Sequence, residues 1–406
     1  MQDVRFDNSA DYFVDWLRKP ISDNKFEFRA MSSQLHFTLN LVWLDSFLSM
    51  HEGMLDTLVK LNLNGKPLDV PVRGAVPSQK HFLVSALRDG ATAKIEQMET
   101  IHPNVSLFCL GLERGLCAKT SAKIFITPKG NAGYPPHLDS TDVLVIQLSG
   151  RKCWSIFEKI VESPISGMSR LMTEQEAKAH SVDIMMSPGD VLFVSGGVGH
   201  KAACNEDHSM HISIGIEHLT VYDILKHRLH ELAIQLPELR KKINTEDPST
   251  VQELIAGLNT FNIKAFDDRS PLAAISHVRR VIASTRPYHK DDSLASILTP
   301  PVVDKSSIIS AVPWRNTEVV DSATRIQVYA TGTVGNQTPL SAPSLNLPAS
   351  AKPEVEALLK TQTPISLANL PGSLDIESRV LIAKSLLQMG LIELHTGNPP
   401  TKPVHF

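Results

Sequence analysis

Residues 133–142 read GYPPHLDSTD, and this stretch decides both the fold and the chemistry of the chain. A Pro-Pro pair leads into His137, and a run rich in Val, Leu and Ile follows Asp142. In a β-strand, residues i and i+2 point to the same face, so His137 and Asp139 would stand side by side. An imidazole and a carboxylate arranged in this way can bind one metal ion. Both residues are therefore candidate ligands.

A third ligand is expected from a strand that is distant in sequence but adjacent in the sheet. His200 fits this expectation, because it ends the run SGGVGH after a Pro-Gly-Asp turn and a short apolar strand. Two imidazoles and one carboxylate that leave coordination positions open form the facial triad of non-haem Fe(II) oxygenases. We therefore predict that His137, Asp139 and His200 bind a metal ion and form the catalytic centre.

The bare His-x-Asp pattern is not specific, because it also occurs at His289 and Asp291. That second copy lies in a polar, proline-flanked segment with no strand after it. We interpret it as surface, and the β-rich context distinguishes the first copy from the second.

Two further features indicate an acidic co-substrate beside the metal. Lys152 follows the apolar strand across a predicted hairpin, and its compact ammonium group suits a carboxylate. The alternative is a solvated turn lysine. Residues Ser209–Glu217 alternate between Met or Ile and small polar residues that include Ser213. The polar face would line the cavity, and the alternative is an edge strand with that face in water.

The pattern of strands and helices divides the chain into three parts. In the first part, helices are predicted at Asp11–Leu17 and Leu41–Met50. A hairpin is predicted at Asn64-Gly65, and a strand that runs into a helix is predicted over Ala93–Leu110. Closely spaced strands then predict a sandwich, jelly roll or small barrel. They are Lys123–Thr127, Val143–Leu148, Lys152–Phe157, Val191–Val194 and Ser209–Glu217.

After Leu219 the periodicity becomes helical. Helices are predicted at Leu219–Ile243, Thr250–Leu258 and Leu272–Thr285. Residues 287–306 and 331–348 are rich in Pro, Ser, Thr and Asn, and we interpret them as linkers or long loops. Two or three helices and a terminal strand then give the outline of a winged helix. These are Pro353–Lys360, Ile365–Leu370, Asp375–Gly390 and Leu391–His395.

Charge and composition exclude several classes of partner. The net charge is −3, and residues 351–406 balance their positive and negative side chains, which argues against nucleic-acid binding. No apolar run approaches the roughly 18 residues that a membrane span needs. The four cysteines form no CxxC pair and the N-terminus lacks a basic and apolar leader, so we predict a cytoplasmic protein with reduced thiols.

Three runs resemble the JmjC-type ribosomal oxygenases, which are Fe(II)- and 2-oxoglutarate-dependent protein hydroxylases. They are FITPKGNAGYPPHLDSTDVLVIQLSGRKCWSIF (125–157), MSPGDVLFVSGGVGH (186–200) and HSMHISIG (208–215). The resemblance implies an α+β chain with a JmjC double-stranded β-helix, or jelly roll, over residues 1–218. A helical dimerisation segment over 219–286 and a linker with a winged-helix domain over 287–406 would follow.

The resemblance also assigns roles to individual residues. His137, Asp139 and His200 match the iron ligands, Lys152 matches the residue that holds the distal carboxylate of 2-oxoglutarate, and Ser213 matches a hydroxyl residue near the co-substrate. The implied activity is hydroxylation of an amino-acid side chain in a protein or peptide. Some positions depart from the family, because Phe125 and Lys123 stand where relatives have Tyr and Asn, and Gly215 replaces a hydroxyl residue.

Two alternative functions remain at this point. One is a tailoring hydroxylase of a small ribosomally made precursor peptide, and the other is a catalytically silent, cupin-like binding protein. Residues 219–243 carry an apolar stripe that is too broad for an exposed helix. The stripe packs either on the β core of its own chain or on a second copy. The resemblance to the ribosomal oxygenases, which dimerise through helices at this point in the chain, implies a homodimer through this segment.

Overall fold

In a computed structural model, the chain divides into two compact units, Met1–Leu219 and Thr220–Phe406. The structure describes residues 6–18, 26–30, 39–116, 118–205, 207–242, 252–253, 255–257, 302–312, 316–331, 344–361 and 363–395.

The first unit begins with helices that cover one face of a large sheet. The helices are α1 (Phe6–Leu17), α2 (Leu41–Met50), α3 (Leu55–Leu58), α4 (Gln79–Arg88), α5 (Met98–Ile101) and α6 (Pro103–Leu116). The side chain of Asn40 accepts a hydrogen bond from the Trp43 N–H and caps α2, as expected for Asn at this position. The predicted hairpin is confirmed, because β2 (Val59–Leu63) and β3 (Lys66–Leu68) pair across Asn64-Gly65.

Two antiparallel sheets form the β core of this unit. The larger sheet has the order β1-β12-β8-β14-β5-β4-β2-β3. Its remaining strands are β1 (Phe26–Ala30), β4 (Thr92–Ile95), β5 (Ala118–Thr127), β8 (Asp142–Gly150), β12 (Asp190–Val194) and β14 (Ser209–His218). The smaller sheet has the order β10-β7-β13-β9-β11, with β6 paired to β13. Its strands are β6 (Asn131–Ala132), β7 (His137–Leu138), β9 (Lys152–Lys159), β10 (Arg170–Leu171), β11 (Ser181–Met186) and β13 (Val198–Cys204), and a short helix α7 (Glu174–Ala177) precedes β11.

Strand β14 shows why the alternating pattern of residues 209–217 matters. Met210, Ile212, Ile214 and Ile216 are each 1% exposed and join the core between the large sheet and the helices. The intervening side chains of His211 and Ser213, together with Gly215, line a cavity on the other face of the sheet. The alternation of the sequence thus separates the apolar core from a polar cavity wall.

The second unit contains two three-stranded antiparallel sheets, with the orders β19-β15-β20 and β16-β17-β18. Its elements are α8 (Val221–Gln235), β15 (Ile308–Ala311), β16 (Asn316–Asp321), β17 (Arg325–Thr331), β18 (Ser344–Pro348), α9 (Lys352–Lys360), β19 (Ile365–Ser366), α10 (Ile376–Gln388) and β20 (Ile392–His395). Apolar residues of β17, α9 and α10 share one core, for example Ile326, Leu358 and Leu386. No helix within the described residues is long and apolar enough to cross a membrane.

The structure corrects two predictions in this unit. Residues 344–348 are not a linker but the strand β18, because Leu345 and Leu347 pack against the core while the strand pairs with β17. Residues 365–370 are not an α-helix but the strand β19 followed by a 3-10 turn at Leu367–Asn369. The predicted helix at 272–285 lies outside the described residues, and residues 252–253 and 255–257 of the preceding one are helical.

Candidate metal centre and its cavity

The structure brings the three predicted ligands together between the two sheets. His137 on β7 and His200 on β13 are direct cross-strand partners, and Asp139 follows β7. The Oδ2 atom of Asp139 lies 3.9 Å from Nε2 of His137 and 3.6 Å from Nε2 of His200. The three ligand atoms lie within 4.8 Å of one another. One small cation can therefore contact all three.

A glycine in the turn before β13 holds the two ligand-bearing segments together. The N–H of Gly197 donates a 2.8 Å hydrogen bond to the carbonyl oxygen of Asp139. Gly197 has φ = +82°, and a Cβ atom at this position would lie 1.9 Å from the carbonyl oxygen of Val161. A side chain is excluded on both counts, so this turn requires glycine.

Backbone carbonyls fix the protonation of both imidazoles. Nδ1 of His137 lies 2.8 Å from the carbonyl oxygen of Pro135, and Nδ1 of His200 lies 3.2 Å from that of Val198. Because a carbonyl oxygen only accepts, each Nδ1 carries a proton, which leaves Nε2 as the atom available to a metal. Burial and the neighbouring His137 lower the pKa of His200 to about 4, against the opposing effect of Asp139, so this ligand is neutral at pH 7.

The donor set fits a divalent transition metal. Two imidazoles and one carboxylate are arranged on one side of a shared point, as in the facial triad that leaves positions open for other ligands. The opposite side faces a cavity of about 200 Å³. The residues present thus fit Fe(II) and leave room for a co-substrate beside it.

Lys152 lies at the closed end of this cavity, with 2% of its surface exposed. Its Nζ donates a 3.1 Å hydrogen bond to Oγ1 of Thr127. Burial lowers the pKa of Lys152 to about 8, while the thiol of Cys204 acts in the opposite direction. Within the described residues no carboxylate forms an ion pair with it, and a buried ammonium of this kind favours an anionic ligand.

Aromatic rings surround the middle of the cavity. The ring of Phe125 stacks on His211 at 5.0 Å, and Trp154 meets His211 edge-on at 5.5 Å. Tyr134 contacts both Phe125 and His137, and burial raises the pKa of its phenol to about 12. These rings give the cavity wall apolar surface close to the metal ligands.

His211 is a buried residue of this cavity that the sequence analysis did not assign a role. It is 2% exposed, and its Nδ1 has no hydrogen-bond partner among the described residues. Burial, followed by the nearby charge of Lys152, lowers its pKa well below the usual value, so the ring is neutral. The signal was present in the sequence, because alternation places His211 on the same face of β14 as Ser213.

The other predicted site residues are placed as follows. Ser213 is 9% exposed, lines the cavity and pairs with Lys123 across β14 and β5. The second His-x-Asp pair, His289 and Asp291, lies outside the described residues.

Comparison with known proteins gives a consistent result. Residues 104–224 match the JmjC domain family. The bifunctional lysine-specific demethylase and histidyl-hydroxylase NO66 of Aedes aegypti is 22% identical over 354 residues, which cover 77% of this chain and 54% of the relative. Ribosomal oxygenase 1 of Rattus norvegicus is 25% identical over 184 residues, which cover 44% of this chain and 30% of the relative. The chain therefore spans about half or less of these relatives.

A solved structure extends the likeness beyond the residues that match the JmjC domain. The Escherichia coli ribosomal oxygenase YcfD aligns with 94% of this chain and 97% of its own, at 15% identity and a TM-score of 0.50. At this identity the likeness shows the fold alone, and the predicted cupin-like JmjC fold with antiparallel sheets is confirmed. Residues 104–224 therefore match a JmjC domain, and the chain is similar to proteins named as histidyl-hydroxylases and ribosomal oxygenases.

Proposed function

We propose that this chain is an Fe(II)- and 2-oxoglutarate-dependent oxygenase that hydroxylates an amino-acid side chain of a protein or peptide. One observation carries the proposal. The two imidazoles and the carboxylate converge beside a cavity whose closed end holds the buried ammonium of Lys152. The names of the relatives, a histidyl-hydroxylase and a ribosomal oxygenase, support the same reaction class and a protein substrate.

Each residue of the cavity has a defined task in this proposal. His137, Asp139 and His200 would hold the iron, and Lys152 would hold the distal carboxylate of 2-oxoglutarate by a charge-assisted hydrogen bond. Ser213 and the free Nδ1 of His211 would offer further hydrogen bonds to the co-substrate. When bound, iron, 2-oxoglutarate and O₂ together supply the oxidising power that inserts oxygen into a C–H bond.

The walls of the cavity contribute by excluding water. Phe125 and Trp154 line the same cavity as the metal ligands and Lys152, and they offer mostly apolar surface. In such surroundings the attraction between an ammonium and a carboxylate is stronger than in water. The chain thus prepares the orientation of the co-substrate before a protein substrate arrives.

The test is reconstitution with Fe(II) without oxygen, followed by addition of 2-oxoglutarate and air. We expect one iron per chain, release of succinate, and a gain of one oxygen atom in a partner protein by intact-mass spectrometry. Bound iron without any succinate, with or without candidate substrates, would favour the catalytically silent binding protein instead.

We also propose the organisation that the sequence predicts. It consists of a catalytic domain over 1–218, a helical dimerisation segment over 219–286, and a linker with a winged-helix domain over 287–406. The division of the chain after Leu219 supports the first boundary, and the sheet β19-β15-β20 with α9 and α10 supports the last domain. Exposed apolar residues on α8, such as Val221 and Ile234, support a homodimer.

Two negative expectations complete the proposal. The balanced charge of the last domain supports a role without nucleic acid or membrane, through contacts with protein. Cys153 and Cys204 form no disulfide within the described part of the chain, which supports a reducing compartment such as the cytoplasm.

A further inference from the structure

The walls of the cavity carry more positive charge than the proposed cofactors require. Three lysines line it, Lys94, Lys123 and Lys152, against the single carboxylate of Asp139. A divalent iron and the dianion of 2-oxoglutarate cancel each other in charge. The loaded cavity would therefore keep an excess of positive charge on its own side chains.

Two of the three lysines have an anionic partner, present or proposed. Nζ of Lys94 lies 2.9 Å from a carboxylate oxygen of Glu96, and Lys152 would pair with the co-substrate. Lys123 is different, because its ammonium forms no hydrogen bond or ion pair within the described ranges of the chain. It is half-buried, so its charge is only partly hydrated.

The position of Lys123 separates it from the closed end of the cavity. Alternate residues of β5 face the cavity, and Lys123 is four residues from Thr127, which contacts Lys152. At about 3.3 Å per residue, this places its Cα roughly 13 Å further along the strand. On the paired strand, exposure rises from 0% at Ser209 to 9% at Ser213, so Lys123 lies on the side where the cavity opens.

We propose that Lys123 selects the substrate of the oxygenase, and that this substrate presents a carboxylate beside the carbon to be oxidised, as an Asp or Glu side chain would. The unpaired ammonium of Lys123 would attract a negatively charged substrate side chain and repel a positively charged one, and partial burial strengthens both interactions. Lysine and arginine side chains would therefore be rejected. The inference rests on the proposed function and names its substrate class.

The experiment compares peptide binding without turnover. The full chain is loaded with Mn(II) and 2-oxoglutarate in the absence of oxygen, and labelled hexapeptide pools carry Asp or Glu, Asn or Gln, or Lys or Arg at the central position. We expect the acidic pool to bind about tenfold more tightly than the basic pool. Lys123→Glu should reverse this order, and Lys123→Asn should remove it.

The control is Lys129→Glu, which makes the same charge change at an exposed turn residue that does not line the cavity. It should bind the pools as the wild type does. Calorimetry of 2-oxoglutarate binding to every variant verifies that the site is folded and loaded, and Lys123→Asn serves if the glutamate variant does not fold.

Three outcomes would overturn the inference. The first is equal binding of the acidic and basic pools, and the second is failure of the acidic pool to bind. Both leave the proposed function intact if 2-oxoglutarate binds. A loss of 2-oxoglutarate affinity in Lys123→Asn with an unchanged pool preference would assign Lys123 to the co-substrate. Failure of the wild type to bind 2-oxoglutarate would instead contradict the proposed function itself.

Discussion

The ammonium of Lys152 donates a 3.1 Å hydrogen bond to the hydroxyl of Thr127, and this neutral contact takes the place of an ion pair at the closed end of the cavity. We predict that Lys152→Ala weakens 2-oxoglutarate binding roughly 30-fold or more, because losing a charge pair in a desolvated site costs about 2–5 kcal/mol. Calorimetry with the Mn(II)-loaded protein measures this. Metal affinity should stay unchanged, and an unaltered co-substrate affinity would contradict the assignment.

The lowered pKa of Lys152 predicts a specific pH dependence. Burial sets this pKa to about 8 in the ligand-free protein, and only the ammonium form attracts a carboxylate. The association constant for 2-oxoglutarate should therefore be constant below pH 8 and fall by about tenfold per pH unit above it. Lys152→Arg is the matched control, because a guanidinium stays charged throughout this range. A decline of equal slope in the arginine variant would show that another group titrates.

The metal ligands could be predicted from sequence because their signals are local. Residues that are two apart in a strand share a face. The turn before His200 can be identified from a Gly-Gly pair between apolar runs. The strand β7 has only two residues, so no periodicity could indicate it, and the sequence could not show that His200 would be its direct partner. That pairing depends on the whole sheet.

Contacts between distant residues account for what the sequence analysis missed. The stacking of Phe125 on His211 and the bond from Lys152 to Thr127 join different strands, and no spacing in the sequence specifies them. The sequence did not indicate the strand β18, because the residues around it are rich in proline and serine. Its two leucines alternate with other residues as in a strand. So short a pattern does not by itself indicate a strand, and the structure shows one because β17 pairs with it.

Removal of any single metal ligand should abolish the site. The alanine variants of His137, Asp139 and His200 should each lose iron and succinate formation, because three protein ligands leave no substitute. Metal content after desalting measures the first effect. The His289→Ala variant should keep full iron and activity. Loss of iron in that variant with retention in His137→Ala would show that the wrong His-x-Asp pair has been assigned.

Gly197→Ala should damage both stability and metal binding. A positive φ costs about 1–3 kcal/mol for a residue with a side chain, and the added methyl group would also meet the Val161 carbonyl at 1.9 Å. Gly167 is the matched control, since its φ is +94° but a Cβ atom there would have no neighbour within 4 Å. Denaturant unfolding and Mn(II) titration should show a larger loss for Gly197→Ala in both quantities. If Gly197→Ala and Gly167→Ala lost equal stability, the predicted contact with the Val161 carbonyl would add no free-energy cost.

The proposed dimer can be tested at α8 because single residues differ in exposure. Leu229 is 44% exposed and Leu232 is 3% exposed in the single chain. Leu229→Glu should therefore leave the chain folded but separate the subunits, because a charge would be buried unpaired against the second copy. Leu232→Glu should instead yield unfolded or insoluble protein. Light scattering at micromolar concentration should give the mass of two chains for the wild type and of one chain for Leu229→Glu.

The matched control for this helix is Gln235→Glu, which adds the same charge at an exposed position about 120° around the helix from Leu229. It should remain dimeric and keep the circular dichroism spectrum of the wild type. A monomeric wild type would contradict a dimer through α8, and so would a Leu229→Glu variant that keeps the mass of two chains. In either case the exposed apolar residues of α8 would have to be covered in another way, because a folded chain gains free energy by removing such surface from water.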